Sequence, residues 1–280
     1  YTRLEQMIRR VRPPEQVSLA PAKQQTLSRI PLVETTGRDA AGLPLTKRLL
    51  QATVRLEVHD PEGRSTGSGT IIDARSGYAL VLTCGHLFRD SGGTGKIVVD
   101  LFVDSVRRRV PGQLVRFDAV RHDIALVKIQ PGVPIQPVPV AGQLSVVKKG
   151  AAVFSTGCDH GDQPSLKRTL INSLNRYHGP DNIQIAGLPA DGRSGGGLFT
   201  AGGELIGVCN AADPLDNEGF YSSLVNVHAQ LQLAGLSFVL NPPGNDPAAI
   251  VAASPNAPAV PAAITLQVIV RGTNGEELLL

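Results

Sequence analysis

Between Ala52 and Leu224 the chain is written almost entirely in period two. Short runs in which apolar residues fall at every second position alternate with turn-forming clusters at roughly 8 to 12-residue intervals, the signature of an all-β barrel. Ala52–Val58 alternates and stops at the turn Asp60-Pro61-Glu62-Gly63, and Gly69–Ile72 and Ala79–Thr83 flank a turn at Arg75-Ser76-Gly77. Lys96–Val103, Arg108–Phe117 and Ile124–Ile129 bring the first set to six strands. A second set is expected at Ala151–Ser155, Thr169–Leu174, Asn182–Ile185, Gly197–Thr200, Leu205–Asn210 and Phe220–Leu224, closed by a short helix over 226–234. Between the sets, Pro131, Pro134, Pro137 and Pro139 demand an extended crossover. No helix is expected within the strand region, and no internal sequence repeat stands out.

Composition supports a packed domain with a lean core. The 280 residues are 42% hydrophobic but only 4% aromatic, with no Trp, so Val, Leu, Ile and Ala must fill the interior. A net charge of +3 is too small to argue for nucleic acid. Three cysteines cannot build a disulfide framework, and neither they nor the six histidines have zinc-site spacing. Cys84 and Cys209 are expected as small buried hydrophobes and Cys158 as a partly exposed thiol.

Three stretches carry chemistry. Gly192-Arg193-Ser194-Gly195-Gly196-Gly197 places a serine on a turn whose glycines let backbone N–H groups converge where no Cβ obstructs them. Val81–Phe88 is an apolar run containing Gly85-His86, which can hold an imidazole rigidly. His122-Asp123 opens the alternating strand that follows. Each has an ordinary reading when taken alone: a glycine-rich hairpin, a satisfied core histidine, a strand-opening turn residue. Their combination, in the order His, Asp, Ser, suits nucleophilic catalysis.

The motifs Thr83-Cys84-Gly85-His86, His122–Ile129 and Gly192–Phe199 resemble the histidine, aspartate and serine motifs of trypsin-like (chymotrypsin-fold) serine peptidases. Gly67-Ser68-Gly69-Thr70-Ile71-Ile72-Asp73 and Gly203–Val208 are similar to the bacterial HtrA/Deg-type branch, so the resemblance covers about residues 51 to 236. It implies two six-stranded antiparallel β-barrels with the active site in the cleft between them. It also implies a serine endopeptidase acting on polypeptide substrates without a cofactor. Ser194 would be the nucleophile, His86 the base and Asp123 its orienter, with the Gly192 and Ser194 N–H groups as oxyanion hole. His122 is the rival base, expected to point away from the site on an extended chain. Leu188, Asn210, Ala211 and Ala212 would line the specificity pocket. With Leu188 where basic-specific enzymes carry an acid, a small or aliphatic P1 residue, the one before the scissile bond, is expected. Arg193 stands where animal trypsins have the acidic residue that captures a new N-terminus. That activation mode is therefore not expected, and regulation by ordering of the loop is.

Around the protease domain, taken as 49–238 with barrels at about 49–130 and 145–225, three segments read differently. Residues 1–48 form a basic extension of local charge near +5, including helical spacing over Leu4–Val11. Residues 239–263 are a Pro/Ala-rich linker, and 264–280 a β-hairpin or the start of a further module. No apolar run is long enough to span a membrane. A chain opening on Tyr is expected to be processed or part of a longer one, and the resemblance places it outside the cytoplasm. A second function stays open: a protease-fold binding or sensor protein without turnover.

Overall fold

A computed structural model describes residues 44–60, 63–104, 106–240, 269–271 and 277–279. The expected helix at Leu4–Val11, most of the basic extension and most of the Pro/Ala-rich linker lie outside them.

The first six strands are β1 (Thr53–Asp60), β2 (Gly63–Arg75), β3 (Tyr78–Thr83), β4 (Lys96–Val103), β5 (Val106–Asp118) and β6 (Ile124–Ile129). They close in the order β1-β2-β3-β6-β5-β4, with antiparallel pairing throughout. The second six are β7 (Ala152–Gly157), β8 (Ser165–Leu174), β9 (Asn182–Ala186), β10 (Gly197–Thr200), β11 (Leu205–Asp213) and β12 (Glu218–Ser223). They close as β7-β8-β9-β12-β11-β10, the same order again. The repeat absent from the sequence is thus present in the topology, because a barrel interior asks only for apolar alternation and accepts any of several side chains. Bulges at Ile71/Asp73, Leu114/Arg116, Ile171/Ser173 and Cys209/Ala211 supply the bends that closure needs. Aliphatic residues fill the barrels as expected, with Val54, Leu56, Val81, Leu82, Leu126 and Val127 fully buried in the first.

Helix α1 (Leu45–Ala52) corrects the expectation of strand at Ala52 and of an extension or linker without helix just before it. It spans the boundary expected at residue 48. Its buried residues Leu45, Leu49 and Ala52 recur at helical spacing, a pattern short enough to be lost next to the β1 alternation. The Thr53 hydroxyl fixes its end, donating to Leu49 O at 2.8 Å and lying 2.7 Å from Thr156 Oγ1 on β7.

The proline-rich crossover is a strap stitched to both barrels. Val138 N–H donates to Ile71 O of β2, while Ala141 N–H and Leu205 N–H pair the strap with the start of β11. Helix α2 (Leu224–Leu233) follows β12, and its Gln230 bonds Arg116 and Asp118 of the first barrel. At the far C-terminus, described by itself, β13 (Ile269–Arg271) pairs antiparallel with β14 (Glu277–Leu279).

Candidate active site

The histidine, aspartate and serine segments come together where the two barrels meet. His86 lies in a short helical turn, Gly85–Phe88, that ends the apolar strand β3, so its backbone is fixed by the barrel wall. Asp123 immediately precedes β6, the neighbour of β3, and this adjacency brings the pair together. Its Oδ2 is 2.8 Å from His86 Nδ1, and its Oδ1 accepts the His86 backbone N–H at 2.6 Å. One carboxylate therefore sets both the ring and the main chain that carries it. Asp123 adopts φ +51°, left-handed rather than extended. The expected reason for discounting His122 is thus corrected: that ring is turned aside into contacts with Gln230 Nε2 at 2.7 Å and Asp118 Oδ2 at 3.3 Å.

Ser194 arrives from the second barrel on the turn before β10. Gly195, at φ +86°, leaves space that a Cβ would fill, since that atom would stand 2.1 Å from Ser68 O and 2.2 Å from Thr83 Oγ1. Cys84 N would lie 3.0 Å from the same atom, so the serine turn abuts the histidine segment directly. Ser68 on β2 grips the turn twice: its N–H donates to Ser194 O and its hydroxyl to Gly192 O, each at 2.7 Å. The Ser68 hydroxyl in turn accepts from Cys158 N–H at 2.8 Å. With these carbonyls tied back, the N–H groups of Gly192 and Ser194 make no hydrogen bond among the described residues. Two unpaired donors, one on the serine itself and one two residues before it, are suited to an oxyanion. The Ser194 hydroxyl is likewise unbonded among the described residues, and His86 Nε2 has the Cys84 sulfur at 3.5 Å as its neighbour.

Burial disfavours the His86 imidazolium, but the Cys84 sulfur and the Asp123 carboxylate more than offset it. The ring holds its proton well above the ordinary histidine range. Cys158 is fully buried, correcting the expected exposed thiol, and burial pushes its pKa up to about 12. Cys209 is pushed up to about 12 by the same cause. Both behave as inert apolar side chains. All three cysteines are free, and no group of metal-ligating side chains forms among the described residues.

The four expected pocket residues do not share one cavity. Leu188, 40% exposed, lines a pocket of about 350 Å³ with Ile185, Pro189, Tyr221 and the basic Lys167 and Arg168. Ala211 and Ala212 are half-buried on β11 outside it. Asn210 is turned inward, its amide donating to Asp123 O at 3.3 Å and accepting from Ser222 N–H at 3.2 Å. Sequence reasoning missed this strut, as it missed Ser68, because hydrogen-bonding roles across barrels leave no periodic trace.

The model of the trypsin-like peptidase domain matches residues 67–208, from the strand that grips the serine turn to the strand behind it. The chain belongs to the trypsin-like peptidase family. Among curated relatives of this family, a protein described as protease Do-like 14 of Arabidopsis thaliana is 33% identical over 159 residues, which is 52% of this chain and 35% of that one. A DegP-like protein of Halomonas elongata, named a periplasmic serine endoprotease, is 30% identical over 155 residues, 54% of this chain and 30% of its own length. The chain therefore spans about a third of these relatives. The fold matches a serine endoprotease from Yersinia pestis at a TM-score of 0.56 and 22% identity, covering 68% of this chain and 65% of that one. It also matches the HtrA-type protease AlgW with a tripeptide, at 0.56 and 24%, covering 69% and 62%. Trypsin-like peptidases of the HtrA type are thus its neighbours in both sequence and fold. No helix among the described residues is long and apolar enough to cross a membrane.

Proposed function

We infer that this domain is a serine endopeptidase acting through Ser194, His86 and Asp123. The observation that carries the reading is the His86–Asp123 pair, 2.8 Å apart, beside a serine turn whose Gly192 and Ser194 N–H groups have no hydrogen-bond partner among the described residues. Ser194 attacks the scissile carbonyl as His86 Nε2 takes its proton, and Asp123 holds the tautomer with Nδ1 protonated and stabilises the imidazolium. The Gly192 and Ser194 N–H groups hold the charge on the tetrahedral oxygen. His86 then returns the proton to the leaving amine, and water repeats the sequence on the acyl-enzyme. Hydroxyl-to-imidazole bonds often close only with substrate bound, which accommodates the unbonded Ser194 hydroxyl.

Small or aliphatic P1 side chains are the proposed preference. Leu188, Ala211 and Ala212 offer no carboxylate to a cation, and the cavity beside Leu188 carries Lys167 and Arg168, which repel one. The periplasmic names of the bacterial relatives support action outside the cytoplasm on polypeptide substrates. The test is labelling with a fluorophosphonate probe together with hydrolysis of a peptide library. Modification of Ser194 and cleavage after aliphatic residues are expected. A chain that neither labels nor cleaves is instead a binding or sensor protein. A strong Arg or Lys preference that disappears in Asp191→Asn would overturn the pocket assignment.

A further inference from the structure

Arg193, between the two oxyanion donors, is the largest fully buried side chain among the described residues, at 1% exposure. A guanidinium in such a place is costly unless every N–H finds an acceptor. Here all five do. Nε and Nη2 clamp the two oxygens of Asp159 at 2.7 and 2.9 Å, the second Nη2 hydrogen reaches Ser165 Oγ, and Nη1 bonds both Ser155 O and Ser155 Oγ at 3.1 Å. No donor is left over for a ligand. Whatever Arg193 does, it does through the main chain that carries it.

That main chain is held from the same direction two residues earlier. Asp159 opens a tight turn, Asp159–Gly161, and the N–H of its second residue, His160, donates to Asp191 O at 2.6 Å. In a trans peptide the C=O and N–H point in opposite directions. Fixing Asp191 O on the turn therefore aims the Gly192 N–H away from it, into the cleft. Between the two anchors, Gly192 lies against the turn so closely that a Cβ would stand 2.6 Å from Cys158 O. Rotation of the Asp191–Gly192 peptide, which would replace the donor by a carbonyl, requires both anchors to give way.

We propose that Arg193 and Asp159 are positioning residues whose bidentate ion pair locks the Asp191–Gly192 peptide in the orientation that receives the oxyanion. The proposal rests on the reading of Ser194 as nucleophile. It makes the Asp159–Gly161 turn part of the activity although it touches no substrate. The turn is tied further into the first barrel, because Arg55 of β1 donates to Gly161 O while its guanidinium also pairs with Asp100.

The experiment compares the full chain with Asp159→Asn and with Arg193→Met, which fills the site with an apolar side chain of similar length. Active sites are counted by fluorophosphonate labelling at saturation, so unfolded molecules leave the count. Expected is a fall in kcat per labelled site of about 100-fold, the scale of one lost oxyanion donor, with KM within about twofold. Amide hydrogen exchange across residues 190–196 is expected to speed up in either variant while β3 and β6 stay protected. An unaltered kcat per site, a loss carried by KM alone, or unaltered exchange over that segment would overturn the proposal. If the parent chain neither labels nor hydrolyses, the endopeptidase reading fails separately, and the exchange comparison still decides whether the pair positions the peptide.

Discussion

His86 Nε2 lies 3.5 Å from the sulfur of Cys84, two residues earlier in the chain. The nitrogen that should accept the serine proton thus has a polarisable, ionisable neighbour, which helps hold the imidazolium well above the ordinary range. A base must be neutral to act. With its pKa raised, the acidic limb of kcat/KM should fall at a pH above the ~6.5 of an unperturbed histidine. Replacing the sulfur in Cys84→Ala should move that limb to lower pH. A pH-rate profile of both proteins checks the direction.

Ser194→Ala removes one hydroxyl that has no hydrogen-bond partner among the described residues. It should abolish peptide hydrolysis while leaving thermal unfolding within about 0.5 kcal/mol of the parent. Asp123→Asn should retain the fold but lower kcat by about 10⁴-fold, since the amide no longer holds the productive imidazole tautomer. Steady-state kinetics and a thermal melt on the two variants measure both expectations.

Ser68→Ala takes away a hydroxyl that accepts from Cys158 N–H and donates to Gly192 O. Two main-chain groups lose their partner at once, at a cost of about 1 to 3 kcal/mol in stability. Because one of them belongs to the oxyanion turn, kcat should fall with little change in KM. Denaturant unfolding and initial rates test the two parts separately.

Asp100 is 1% exposed and is bound by Arg55 and Arg109. Burial alone would raise its pKa, but the two guanidiniums hold it below the ordinary carboxylate range. The stabilisation is therefore present in full above the unfolded value of about 3.9 and is lost as pH falls through the folded value. Asp100→Asn should cost about 1 to 3 kcal/mol at pH 7, since Arg109 remains half in water, and the gap to the parent should narrow below about pH 4. Unfolding free energies measured from pH 7 to pH 3 check this.

The barrels were legible because alternation and turns act locally, and each strand announces itself within a few residues. The His86, Asp123 and Ser194 motifs were legible for a related reason: each combines a rigid strand end with one reactive side chain. Helix α1 was hidden by its shortness. Burial of Cys158 was hidden because its loop looks polar, whereas its main chain is tied to the Ser68 hydroxyl of the other barrel. The partners of Arg193 were illegible in principle. Nothing in Gly192-Arg193-Ser194 says that a carboxylate 34 positions earlier will meet the guanidinium.

The serine turn is gripped by a strand of the other barrel, and this has a bearing on how such a chain is made. Residues up to Ile129 contain the histidine and the aspartate, yet the nucleophile and its donors lie more than sixty residues further along. When the first barrel closes during synthesis there is as yet nothing to attack with. When the second closes, its serine turn is joined to the first only as it docks on Ser68. The proposed cutting edge is complete only when both barrels are in place, so unfinished copies, the polypeptides most open to cleavage, have no means of cleaving one another.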